Sequence, residues 1–285
     1  DSELKGIIGG TRQEFIVDMP WSEYVEAVGL NPSTVAPGCD SMKHLYNARN
    51  EDEKSHKKPK SETPMLIGAA THALILEPDK AQDRFAVYEG EGRRGTNDWK
   101  EFAGENEGKD LLKKVEWDIA VRASDAVLND KVAGPILDAT KHEVSLFVDD
   151  HGVQCKARTD CLGKGFLADV KGTTNVNAGP FGRMFAQMKY GPRMACYRRW
   201  AMKLGFAVEQ VKIIAHEHHE PFYVVVFNVP LVVLDMYWDR VEKRVMNRIV
   251  ECIENDHWPG VANNQEVEIQ IPMYDAEPED MVDWS

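Results

Sequence analysis

The sequence predicts a mixed α/β (α+β) fold, and three observations carry that prediction. Between Glu143 and Thr173 the chain reads as three short strands joined by two tight turns. Ala207 to His216 and Phe222 to Val229 are two further runs of high strand propensity. Before and after these strands, long segments place apolar residues at helical spacing.

Taken in order, residues 1–20 are expected to be a loosely ordered, flexible segment. Trp21 to Val28 reads as a short helix, and Asn31-Pro32-Ser33-Thr34 as a turn capping a helix from Cys39 to Asn50. Asn50 to Thr63 is charged, contains Pro59 and reads as a mobile loop. Pro64 to Glu77 is a helix: Pro64 suits the first turn, Leu66, Ala70, Ala73 and Leu74 keep helical spacing, and Pro78 marks the stop. Phe85 to Tyr88 reads as an edge strand. Asp98 to Gly108 and Lys109 to Asn129 read as helices, the second with Leu112, Val115, Ile119, Ala123 and Val127 as a buried stripe. Gly179 to Leu204 is helical, split at Gly191-Pro192, so its main helix spans Arg193 to Leu204. Pro230 to Asn255 is a long amphipathic helix ended by Trp258-Pro259-Gly260. The domain layout is therefore a main domain over 21–262 between the flexible start and an acidic tail over 263–285.

With 285 residues, 43% hydrophobic and 28% charged, the composition is that of an ordinary globular chain. No apolar run approaches the roughly 20 residues of a membrane span, and no secretory signal is visible at the start. Five scattered cysteines without a C-x-x-C pair indicate neither a zinc ribbon nor a disulfide framework, so a reducing, cytoplasmic setting is expected. A net charge of −13 excludes a protein that coats nucleic acid by bulk electrostatics, though not an enzyme with a local basic track.

The chemistry concentrates in the three-strand unit. Asp169 and Lys171 are two apart and share one strand face. A hairpin closing at Gly163 to Gly165 brings Asp160 beside Asp169. Two carboxylates this close repel unless a cation lies between them, and a hard divalent ion with oxygen ligands answers that need. A metal beside a lysine suits phosphodiester hydrolysis. The plainer alternative is an exposed hairpin with solvated charges. A lone His72 amid small and apolar residues would ordinarily be a satisfied core histidine. His216-Glu217-His218-His219-Glu220 could bind a transition metal, but it falls between two strands, where consecutive residues diverge, and reads as a polar turn.

The order of a helix with His72, a strand opening at Glu143, Asp160, then Asp169-Val170-Lys171 and a helix resembles the core of PD-(D/E)XK nucleases. The wording is similar to the exonuclease VIII (RecE-like) exonucleases of phages and prophages. The matching stretches are Pro64 to Pro78, Arg93-Arg94-Gly95 with Trp99-Lys100-Glu101-Phe102 and Glu105-Asn106, Lys156 to Asp160, Leu167 to Lys171, and Trp258-Pro259-Gly260. The resemblance spans about residues 20 to 272. It implies a central mixed sheet flanked by helices and an exonuclease domain over 21–262. It implies Mg²⁺ held by His72, Asp160, Asp169 and the Val170 carbonyl, with Mn²⁺ as a substitute and Glu143 at a second metal or a ligated water. Lys171 would orient or activate the attacking water. Arg193, Tyr197, Arg94, Arg158 and Ser33 would bind DNA. Arg193 stands where the family has a glutamine four residues before Tyr197, and Gln187 lies out of register.

The implied activity is 5′-to-3′ degradation of linear double-stranded DNA, leaving 3′ single strands for an annealing partner, by a homo-oligomeric ring. A PD-(D/E)XK endonuclease, a CRISPR-associated nuclease and a catalytically silent DNA-binding protein are the rivals. The scattered cysteines do not supply the four-cysteine iron–sulfur pattern frequent in the CRISPR-associated group, and the filled metal and lysine positions argue against a silent protein.

Overall fold

The computed structural model describes residues 5–55, 63–263 and 265–269. In chain order the elements are β1 (Glu14–Ile16), α1 (Trp21–Glu26), α2 (Pro32–Gly38), α3 (Met42–Ser55), α4 (Thr63–Leu76), α5 (Pro78–Arg84), β2 (Phe85–Tyr88), α6 (Asn97–Glu105), β3 (Asp110–Lys113), α7 (Lys114–Leu128) and α8 (Ala133–Asp138). Then come β4 (Thr140–Asp150), β5 (Val153–Gly163), β6 (Gly165–Thr173), α9 (Ala178–Gln187), α10 (Tyr190–Lys203), β7 (Val208–Glu217), β8 (Val224–Val229), α11 (Leu231–Val241), a π-helical turn (Glu242–Met246) and α12 (Ile249–Asn255).

The main sheet has the order β1-β4-β5-β6-β7-β8. All its neighbours run antiparallel except β6 and β7, which are parallel. Parallel neighbours need a crossover, and α9 with α10 supplies it. The β4–β5 hairpin turns at His151 and Gly152, both with positive φ (54° and 77°), the backbone that a two-residue turn of matching twist requires. The turn is anchored inward: fully buried Asp150 accepts from Trp200 Nε1 at 2.9 Å and pairs with Lys203 Nζ at 2.7 Å.

Alternation along β4 and β5 sends Val144, Leu146, Val148, Val153, Cys155 and Ala157 into the larger core, against Met194, Trp200 and Ala201 of α10 and Leu234 and Val241 of α11. The opposite face receives Ile75, Leu76, Val127 and Leu137, which cover Cys161, Ala168, Val170 and Ile214. With apolar surface on both flanks, α4 is buried nearly all round, as its run of Leu, Ile and Ala foretells.

Several expectations are corrected. The start is not uniformly loose, because Glu14–Ile16 adds an edge strand to β4 and Ile8 bridges to Val153. The expected Lys109 helix begins instead as β3, which pairs in parallel with β2; only from Lys114 does the helical stripe apply. Gly191-Pro192 does not split α10 but lies in its first turn, where proline lacks only an N–H that has no helical partner anyway. A Cβ on Gly191 would come within 2.3 Å of the Tyr237 ring, so only glycine allows that contact. The expected Asn31-to-Thr34 turn opens a short helix of its own, α2, the Cys39-to-Asn50 helix starts only at Met42 as α3, and the Pro230-to-Asn255 helix is interrupted by the π turn. The Asn50-to-Thr63 loop is helical through Ser55, and residues 56–62 fall outside the described set, as does most of the 263–285 tail.

Candidate functional site

The site grows from an opening in the β4–β5 ladder. His142 pairs with Cys161 and Val144 with Thr159, so Glu143 and Asp160 stand opposite each other, but they form no pair. Glu143 sits at φ 51°, the left-handed region, which a non-glycine residue occupies at a cost of about 1–3 kcal/mol. Asp160 spends Oδ2 on the Val170 N–H of the neighbouring strand, at 2.8 Å.

Above this opening stands His72 of α4. Its Nε2 lies 3.2 Å from Asp160 Oδ2 and its Nδ1 3.6 Å from Glu143 Oε1. One donor atom each from His72, Glu143 and Asp160 falls within 4.8 Å of the others. On β6, Lys171 pairs closely with Asp169, lies 3.8 Å from Asp160 and donates to the Val170 carbonyl at 3.2 Å. The six expected centre residues, His72, Glu143, Asp160, Asp169, Val170 and Lys171, therefore converge. Glu143, rather than Asp169, completes the tight group with His72 and Asp160.

The electrostatics follow from crowding charge in a buried place. Burial raises Glu143 above the usual carboxylate range, against the pull of His72. Burial and then the neighbouring Asp160 charge push Asp169 up to about 6. Burial would raise Asp160 too, but Lys171 and His72 outweigh it and hold it well below the ordinary range. Burial would lower Lys171 and His72, yet the aspartates keep both above their usual values. An imidazole and buried carboxylates facing one another at this spacing fit a divalent cation: His72, Glu143 and Asp160 offer the donors, with Asp169 beside them.

Arg158 ties this centre to a second one. Its buried guanidinium donates Nε to Glu143, NH1 to the Met19 carbonyl at 2.7 Å and NH2 to Glu77 at 3.4 Å. It also lines a cleft of about 150 Å³ with Trp21, Tyr24, Ser33, Lys156 and Tyr197. Of the expected DNA-binding residues, Ser33, Arg158 and Tyr197 thus share one cleft adjoining the metal-type centre. Arg193 lies in the first turn of α10, 5.9 Å from the Tyr190 ring, which also lies 5.6 Å from Lys171 Nζ. Among the described residues Arg193 has no ion pair, and its buried Nε has no hydrogen-bond partner. Gln187 is exposed at the end of α9. Arg94 is elsewhere, gripping Glu116 of α7 with two hydrogen bonds of 2.7 and 2.6 Å.

Sequence reasoning missed three features. The Arg158–Glu143 pair joins residues 15 apart in a register that no motif spells out. Tyr190 carried no signal beyond being aromatic near a helix start. Lys156 binds the carbonyls of Tyr24, Val25 and Ala27 at 3.0, 3.0 and 2.6 Å, closing the end of α1, a role only the folded chain reveals.

Fold and site define the class, a PDDEXK-like nuclease domain. Residues 38–270 match the family described as a PDDEXK-like domain of unknown function (DUF3799), and the chain belongs to that family. The crystal structure of a Eubacterium rectale protein, described as a candidate exonuclease, superposes with a TM-score of 0.59 over 91% of this chain and 98% of that one, at 13% identity. That likeness concerns the fold. The structure of SSO0001 aligns at a TM-score of 0.28 and 12% identity over 71% of this chain and 81% of that one, too low to bear on it. A search of the curated proteins gives no match.

Proposed function

We propose that the protein is a Mg²⁺-dependent exodeoxyribonuclease that degrades linear double-stranded DNA from 5′ ends. The observation that carries this reading is the convergence of His72, Glu143 and Asp160 within 4.8 Å, with Asp169 and Lys171 alongside.

His72, Asp160, Asp169 and Glu143 would hold the cation, with the Val170 carbonyl as a further ligand once Lys171 releases it. A bound Mg²⁺ or Mn²⁺ would lower the pKa of a water and offset charge on the phosphate. Lys171 is protonated in this setting, so it acts as a donor that orients the attacking water and stabilises the developing phosphate charge. Arg158 favours the ionised form of Glu143 against its burial and aims it, and its other edge faces the cleft where the neighbouring nucleotide would lie. Ser33 and Tyr197 offer hydroxyls there, and Arg193 a bidentate fork for a phosphate. The 5′ polarity, the 3′ single strands handed to an annealing partner and the homo-oligomeric ring rest on the resemblance to RecE-like exonucleases.

The test uses linear duplexes labelled at either the 5′ or the 3′ end, beside covalently closed plasmid. Mononucleotide release from the 5′ label, dependent on Mg²⁺ or Mn²⁺, is expected, with Ca²⁺ binding but not supporting turnover. Efficient nicking of the closed plasmid would instead identify an endonuclease.

A further inference from the structure

The run His216 to Glu220 turns as expected from His218 onward, but its first two residues continue β7. β7 ends at Glu217, so His216 belongs to the strand and His218 to the bend that follows it, and that bend folds the His218 ring back against His216. The rings meet edge to face, 4.7 Å between centroids at 89°. His216 is 2% exposed, and its Nδ1 is buried without a hydrogen-bond partner, while the ring has a backbone hydrogen bond at Glu217. His218 repeats the pattern, with Nε2 buried and unpartnered. A buried polar atom left unpaired costs about 1–3 kcal/mol, and two on adjoining rings call for something between or beside them.

We propose that His216 and His218 form a transition-metal site, separate from the His72 centre, for a borderline ion of the Zn²⁺, Co²⁺ or Ni²⁺ type. Imidazole nitrogen selects such ions over Mg²⁺, which seeks oxygen. Both rings are already in the ligand form. Burial drives the His216 pKa down to about 3 and also lowers that of His218. The backbone is shaped around the pair. A Cβ on Gly172 would stand 2.4 Å from His218 Cε1, and Gly68 of α4 comes within 3.9 Å of the same atom on the same measure. Gly172 follows Lys171 directly, and Gly68 lies one helical turn before His72. A metal on this pair would therefore stiffen the contact of β7 with the two segments that carry Lys171 and His72. His219 is not part of the site, since its ring nitrogens are engaged with the carbonyls of Glu220 and Thr174.

The site is tested by Zn²⁺ binding, independently of any nuclease activity. In His72→Gln protein, with Mg²⁺ in excess to occupy the carboxylates, equilibrium dialysis is expected to find one equivalent of Zn²⁺. The ¹⁵N resonances of two imidazoles should shift together on saturation, and Zn²⁺ should raise the thermal midpoint. His218→Phe in the same background keeps a ring over Gly172 and should lose the bound equivalent. The ¹⁵N readout needs no change at the pair itself, so it stands even if that variant fails to fold. No saturable Zn²⁺ uptake, shifts confined to other histidines, or uptake unchanged by His218→Phe would overturn the proposal and leave the contact as packing of two neutral rings.

Discussion

Replacing Asp160 by asparagine separates what this carboxylate does for the fold from what it does for chemistry. Asparagine keeps the shape and one acceptor oxygen for the Val170 N–H, now at 2.8 Å, so that bond of about 1 kcal/mol survives. The lost charge removes attraction to His72 at 3.2 Å and Lys171 at 3.8 Å, but also the repulsion that lifts Asp169 and Glu143. The two changes oppose each other, so metal-free stability should stay within about 1 kcal/mol of the parent, a few degrees in midpoint. Catalysis has no such compensation. Loss of about 4 kcal/mol of metal-dependent stabilisation corresponds to about 10³-fold in rate. The assay is thermal unfolding with and without Mn²⁺, beside cleavage of end-labelled linear duplex. Asp160→Asn should unfold like the parent without metal, gain less from Mn²⁺ and cleave at least about 10³-fold more slowly. A variant that cleaves at the parental rate, or that loses more than about 3 kcal/mol without metal, refutes the reasoning.

Other outcomes follow from the same geometry. Arg193→Ala should weaken DNA binding and reduce the salt slope by about one phosphate contact, whereas Arg193→Gln should keep much of the activity; an unchanged slope in Arg193→Ala would make the residue structural. Asp169 titrates at about 6 in the folded chain, above its ordinary value. The unfolded chain releases that proton first, so this group's contribution to metal-free stability declines as pH rises from about 4 to about 6. Cation binding needs the ionised form, so Mn²⁺ affinity measured by calorimetry should climb through the same window and continue upward as His72 loses its proton. A flat affinity from about pH 4 to about 6 would place Asp169 outside the metal's reach.

Much of the site was legible because its grammar is local. The Gly163-to-Gly165 turn sets the β5–β6 register, and that register alone puts Asp160 beside Asp169. The two-residue period of a strand puts Lys171 on the face of Asp169. The helix of His72 was equally readable, since Pro64 and Pro78 bound it and its apolar residues keep helical spacing.

The sequence by itself thus determined β2 and β4 to β8, their bounding turns and the order of the charged residues, because each depends on neighbours a few positions apart. The tertiary structure alone decided which charges are used and how. It gave Arg94 to Glu116 and Arg158 to Glu143, pulled Asp110–Lys113 out of a helix by pairing it with Phe85–Tyr88, and opened the ladder so that Glu143 turns toward His72. It also carried β7 one residue past its expected end at His216 and brought the His216 and His218 rings together, with His218 against Gly172. Those outcomes depend on contacts between segments distant in sequence, and on the cost of burying a charge or a ring nitrogen without a partner, which only the packed chain can assign.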